Sequence, residues 1–222
     1  KTTLLRSVIR ETAGRENWLV LSATCTPFGA QVPRGVLAQW FTGLAMSTGV
    51  GEAPFDGPGA ILHQLLLGQP VQADVASLSY AVQWAVAWLT RTSSLLLVVD
   101  DLQWADETSA AVLAHVIGLV SPEPVALLVG IRDGAAESRS DVVRAVLASA
   151  DEVIEPRPLS RDAVATLVGG RPLDVTRLHE LSGGVPFYVT ELVARAPVDG
   201  APEASRRVID SVGQRLDLLG SD

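Results

Sequence analysis

"SLLLVVDD", Ser94 to Asp101, is the stretch on which the fold turns. Its aliphatic run from Leu95 to Val99 shows no polar alternation, as expected of a central parallel strand covered on both faces. The run ends on two acids. In open α/β sheets ligands gather at the carboxyl ends of the strands, so the position of Asp100 and Asp101 is informative by itself.

Working outward, "ETSAAVLAHVIGLV" (107–120) reads as a helix and "PVALLVGIRD" (124–133) as a second covered strand. Residues 140–149 read as a helix and "DEVIEP" (151–156) as a short strand. Upstream, Leu4, Leu5, Val8 and Ile9 recur at helical spacing, predicting a helix from residue 1 to about 13 that stops near Gly14. "NWLVLSA" (17–23) is a buried strand, "RGVLAQWFTGLAM" (34–46) a helix, 49–59 irregular and 60–67 a short helical segment. Val75 to Thr90 carries apolar residues along one side, and Trp84 and Trp88 add a second apolar face, predicting a helix sandwiched between layers with both indoles in the core. Beyond Pro156 and Pro158 only helices follow: 160–168, 174–181, 186–196 and 204–219. Ser160 is the expected N-cap of the first, and Gly183-Gly184 the expected stop before the third.

Strands alternating with helices predict an α/β fold, a parallel sheet with helices on both faces, over residues 1–158. The all-helical tail, 159–222, predicts a smaller second subdomain. No internal repeat is visible.

Composition limits the functions. Of 222 residues, 48% are apolar and 19% charged, a globular balance, and a net charge of −8 argues against a broad nucleic-acid face. One cysteine, Cys25, excludes a disulfide framework or a thiolate metal site and fits a reducing cytoplasm. No signal peptide is visible and the longest aliphatic run is far short of a membrane span. Richness in Ala, Gly, Arg and Val suggests a bacterial source. His63, His115 and His179 fall on separate predicted helices, which gives no metal-binding spacing.

A rigid strand tipped with two acids has the physical form of a Walker B element. Asp100 would face a magnesium ion, and Asp101 would orient or deprotonate an attacking water. Magnesium prefers oxygen ligands and retains several waters, so one or two acids suffice. A plainer reading stands beside this one: both acids cap the turn before the next helix. "KTT", Lys1 to Thr3, opens the first helix and allows two readings as well, the end of a phosphate-binding loop or an ordinary helix start. In the first, Lys1 meets the β- and γ-phosphates, Thr2 places its hydroxyl on the magnesium, and Thr3 continues the cofactor-binding turn. Arg132 ends the next covered strand on the same sheet edge. It could read a γ-phosphate or form a salt bridge to Asp133 or Asp101.

"LLLVVDDLQWADETS" (95–109) closely resembles the Walker B segment of the AAA/STAND-type P-loop ATPase domain of large LuxR-family bacterial transcriptional regulators. The same domain type accompanies some cyclases and kinases. The resemblance covers nearly the whole chain. "PFGAQVPRGVLAQWFTGL" (27–44) resembles the family's proline-phenylalanine-glycine segment, and "LLVGIRD" (127–133) its sensor strand. "LSGGVPFYVTELV" (181–193) is similar to its Gly-Gly-Asn-Pro-Phe helix start, and "RRVIDSVGQRLDLL" (206–219) to its closing segment.

The resemblance implies a P-loop NTPase core with a helical lid, ATP and Mg2+ as ligands, and a role as a switch. It assigns Lys1 and Thr2 to the phosphate loop, Asp100 to the metal, Asp101 to water, Arg132 to the sensor and Pro186 to the adenine side of the lid. DNA binding would come only through parts of a longer parent, and a homo-oligomer is a possible partner. Two departures stand out. Val185 replaces the family's asparagine, and the glycine-rich loop that precedes the lysine in the family is not among these residues. The 222-residue segment is therefore expected to bind ATP poorly even where its parent binds well. A nucleotide-independent interaction scaffold with an ATPase fold, or the same module serving a cyclase or kinase, is the alternative.

Overall fold

The computed structural model describes residues 1–46, 53–69, 71–117, 124–132 and 141–196. The chain divides into two compact units, Lys1–Val153 and Ile154–Asp222.

Among the described residues the first unit is built on three parallel strands, β1 (Trp18–Thr24), β2 (Ser94–Asp100) and β3 (Val125–Val129), in the order β1-β2-β3. Residue partners run from Trp18↔Ser94 to Thr24↔Asp100 on one side of β2, and from Leu95↔Val125 to Val99↔Val129 on the other. β2 is central and buried from Leu95 to Asp100, as its unbroken apolar run requires. Its side chains alternate. Leu95, Leu97 and Val99 enter the main core with helices α2 (Gly35–Met46), α3 (Ala60–Leu66), α4 (Val75–Leu89), α5 (Glu107–Ile117) and α6 (Asp141–Ala148). Leu96 and Val98 face the other way and pack with Leu5 and Ile9 of α1 (Thr2–Ala13). The fold is thus α/β, with helices on both faces of a parallel sheet.

Four expectations are corrected. β3 is only partly buried, because among the described residues it has a neighbour on one side alone. Residues 151–156 form no strand. Val153 and Ile154 are 63% and 71% exposed, and a strand without a ladder partner gains nothing from its β-branched residues. Trp84 is 41% exposed and Trp88 half-buried, so α4 buries one face through Leu78, Ala81, Val82, Ala85, Val86 and Leu89 instead of two. The stretch expected to be irregular, 49–59, contains two 3-10 turns, Ala53–Phe55 and Gly57–Gly59.

The second unit contains α7 (Arg161–Val168), α8 (Val175–Ser182) and α9 (Pro186–Arg195), packed around Val164, Leu178, Val189 and Leu192. Ser160 caps α7 by accepting from Ala163 N–H at 3.2 Å, and Asp174 caps α8 by accepting from Arg177 N–H at 3.0 Å. Gly183 ends α8 at φ 57°, and Gly184 follows at φ 73°, where a Cβ would collide with the Leu159 carbonyl. The helix expected at 204–219 lies outside the described residues. No helix among those described is long and apolar enough to cross a membrane.

Candidate functional site

The period of the strand puts Asp100 where Leu96 and Val98 lead it, on the α1 face at the carboxyl tip of β2. Leu5 and Ile9 press α1 onto that face, which sets the first turn of the helix over the strand tip. Thr2 Oγ1 consequently donates to Asp100 Oδ2 at 2.7 Å across 98 residues of chain. The carboxylate is buried, 6% exposed, and its Oδ1 accepts the Asp101 N–H at 2.9 Å. Thr2 and Asp100 border an open cleft of about 170 Å³ that also touches Ser22 and Thr24.

Asp101 leaves the strand in the left-handed region, φ 56° and ψ 46°, a conformation that aspartate tolerates better than most residues. The turn is pinned by Leu102 N–H to the Gly130 carbonyl at 3.0 Å and by Cys25 N–H to the Asp100 carbonyl at 2.9 Å. It carries the second carboxylate to Lys1, whose Nζ lies 2.6 Å from Asp101 Oδ1 and 3.7 Å from Asp100 Oδ1. Burial pushes the Asp101 carboxyl up. Hydrogen bonds from Lys1 and Gln103 and the charges of Lys1 and Arg132 outweigh this and hold it below its usual value.

The structure therefore brings Lys1, Thr2, Asp100 and Asp101 into one hydrogen-bonded cluster. Thr3 is exposed and its side chain makes no hydrogen bond among the described residues. Arg132 is also exposed. Its guanidinium makes no ion pair with Asp101 among those residues, yet its charge is felt there and its backbone N–H is held by Gln103. Asp133 lies outside the described residues. Pro186 belongs to the second unit, at the first position of α9.

Three residues of the site were not singled out from sequence. Gln103 sits on the 3-10 turn Leu102–Trp104 and donates from Nε2 to Asp101 Oδ1 at 3.0 Å. Gly130 follows β3, and a Cβ there would sit 2.5 Å from Asp100 Oδ1 and 2.8 Å from Leu5 Cδ1. An isolated glycine closing an apolar strand is a sequence sign of such close approach. Asp106 is 5% exposed and fixes the starts of two helices. Its Oδ1 accepts Arg34 N–H at 2.7 Å and Ser109 N–H at 3.0 Å, and its Oδ2 accepts Gly35 N–H at 2.9 Å. The acid closing "QWAD" thus ties the turn after β2 to both α2 and α5.

Cys25 is buried, and desolvation together with the charges of Asp106, Asp101 and Asp100 pushes its thiol up to about 12. It stays a neutral thiol at physiological pH and is no nucleophile. The donors suit a hard divalent ion: a hydroxyl and a carboxylate oxygen converge at Thr2 and Asp100. Among the described residues no cluster of three or more His, Cys, Asp or Glu forms a protein-only metal cage. The Lys1 ammonium is the cation of the cluster, paired here with Asp101.

No curated protein matches the sequence. Residues 1–129 match the AAA ATPase domain, a stretch that holds all three strands, the cluster at the tip of β2 and the turn that follows it. The chain belongs to the AAA ATPase domain family.

Proposed function

We propose that the chain is an ATP-binding, slowly hydrolysing switch domain of a bacterial LuxR-family-like transcriptional regulator working in the cytoplasm. The observation that carries the nucleotide part is the convergence of Lys1 and Thr2 on Asp100 and Asp101 at the carboxyl end of the central strand. A pair of carboxylates that only capped a turn would not need a lysine and a hydroxyl from another element. The regulator part rests on the sequence resemblance of the segments around 95–109 and 181–193.

In this reading Lys1 contacts the β- and γ-phosphates, and Thr3 extends the same turn along them. Thr2 and Asp100 would hold Mg2+, which supplies charge neutralisation at the phosphates when bound. Asp101 orients the attacking water, a task suited to a carboxylate kept ionised by its neighbours. Arg132 reads the γ-phosphate through its guanidinium. The sequence resemblance alone gives the segment 159–222 the part of a lid and Pro186 that of its adenine-side residue. Loss of the γ-phosphate frees the lid, and that change is the signal. DNA contact and any homo-oligomer belong to the whole regulator.

The test is Asp101→Asn in the full-length protein. It should keep Mg-ATP binding and lose most turnover. Hydrolysis equal to that of the unsubstituted protein would remove Asp101 from its role.

A further inference from the structure

Gln103 stands where two parts of the site meet. Its Nε2 donates to Asp101 Oδ1 at 3.0 Å, and its Oε1 accepts the Arg132 backbone N–H at 3.1 Å. An ionised carboxylate offers only acceptors and a backbone N–H only a donor. Both bonds together require one side chain carrying one group of each kind, which fixes the direction of the amide and leaves no substitute of equal length. Among the described residues, Asp101 Oδ1 takes both Lys1 and Gln103, while Oδ2 takes neither. Loading one oxygen leaves the other for a water.

The two holders differ in permanence. The Lys1 ammonium sits on a flexible stem, and the nucleotide reading sends it to a phosphate. Gln103 is half-buried on a turn closed by Trp104 N–H to the Asp101 carbonyl at 2.9 Å. With Lys1 on a phosphate, Gln103 is the side chain that keeps the Asp101 carboxylate from rotating. Its other end fixes the backbone from which the Arg132 guanidinium reaches out.

We propose that Gln103 is a positioning residue that holds Asp101 in its water-orienting rotamer and couples it to Arg132. This deepens the nucleotide reading above and rests on it. A shift of the Arg132 backbone toward a phosphate would pull the amide, and the amide would move the carboxylate. The geometry thus makes the third residue of the turn a link between the group that senses the phosphate and the group that orients water.

Two substitutions separate the two arms. Gln103→Glu keeps an acceptor for the Arg132 N–H but sets a second carboxylate against Asp101, whereas Gln103→Leu removes both bonds. The full-length protein is assayed for ATP turnover and KM, and the nucleotide-free protein for hydrogen exchange at the Arg132 amide. Both variants should lose about ten- to hundredfold in kcat with KM kept within about threefold, the mark of lost positioning. The Arg132 amide should exchange faster, on the order of tenfold, in Gln103→Leu and not in Gln103→Glu. Turnover within about twofold of the parent in both variants would overturn the proposal. So would unchanged Arg132 exchange in Gln103→Leu, or a loss confined to KM. Absence of any Lys1-dependent Mg-ATP binding in the unsubstituted protein would instead sink the nucleotide reading, and this proposal with it.

Discussion

Gly130→Ala should damage the site without touching any charged group. The new Cβ would lie 2.5 Å from Asp100 Oδ1, so the carboxylate must retreat by roughly 0.9 Å to reach ordinary contact. It is not free to do so. Oδ2 holds Thr2 at 2.7 Å, and Oδ1 holds the Asp101 N–H at 2.9 Å. Overpacking of this kind costs about 1–3 kcal/mol, and one weakened hydrogen bond to a buried charge about 1.5–3. The reduced freedom of the unfolded chain returns about 0.4–1 kcal/mol, leaving a net destabilisation of about 1.5–5.5 kcal/mol.

The readout is urea unfolding followed by tryptophan fluorescence. All five tryptophans, Trp18, Trp40, Trp84, Trp88 and Trp104, lie in the first unit, so the signal reports that unit alone. The sharper version is a double-mutant cycle. In an Asp100→Ala background the obstructing carboxylate is gone and only the flexible end of Leu5 remains in the way. There Gly130→Ala should cost less than about 1 kcal/mol, a coupling of at least about 0.5. An equal cost in both backgrounds would refute the claim that Gly130 is glycine for the sake of Asp100.

Other consequences follow from the same geometry. Asp106→Ala should destabilise the first unit by about 2–4 kcal/mol, because three backbone N–H groups at two helix starts lose their acceptor; urea unfolding measures it. Cys25 should resist thiol reagents at pH 8 until the protein unfolds. Its raised value also gives stability that is full below the ordinary thiol range and declines as pH rises from about 9 toward about 12, readable from unfolding midpoints across that window. Val185 is the N-cap of α9 and makes no side-chain capping bond. Val185→Asn should therefore slow hydrogen exchange in α9 by an amount equivalent to about 0.5–1 kcal/mol.

The central strand was legible because burial on both faces writes itself as an unbroken aliphatic run, and Leu95 to Val99 is such a run. Helices of the second unit were legible through their ends, the N-cap Ser160 and the stop at Gly183, whose side chain or backbone freedom acts locally. What failed was whatever depended on partners distant in the chain. "DEVIEP" has strand-like residues and no strand to pair with. Trp84 has the spacing of a buried residue, but α4 buries its other side.

In the site, Asp100 and Asp101 announce themselves as two acids after an apolar run. Gln103 does not, because its meaning comes from Arg132, 29 residues away, and from the left-handed turn at Asp101. Asp106 was visible only as the last letter of a motif. Its function, closing the starts of two helices, appears once Arg34 and Gly35 are folded beside it.

The most direct measurement is calorimetric titration of Mg-ATP into the full-length protein and into its Lys1→Ala variant. Binding that weakens by about ten- to hundredfold on loss of the ammonium is the predicted result, the share expected of a charge-assisted contact to phosphate. Equal binding in both proteins, or none in either, would contradict a nucleotide site built on Lys1, Thr2, Asp100 and Asp101.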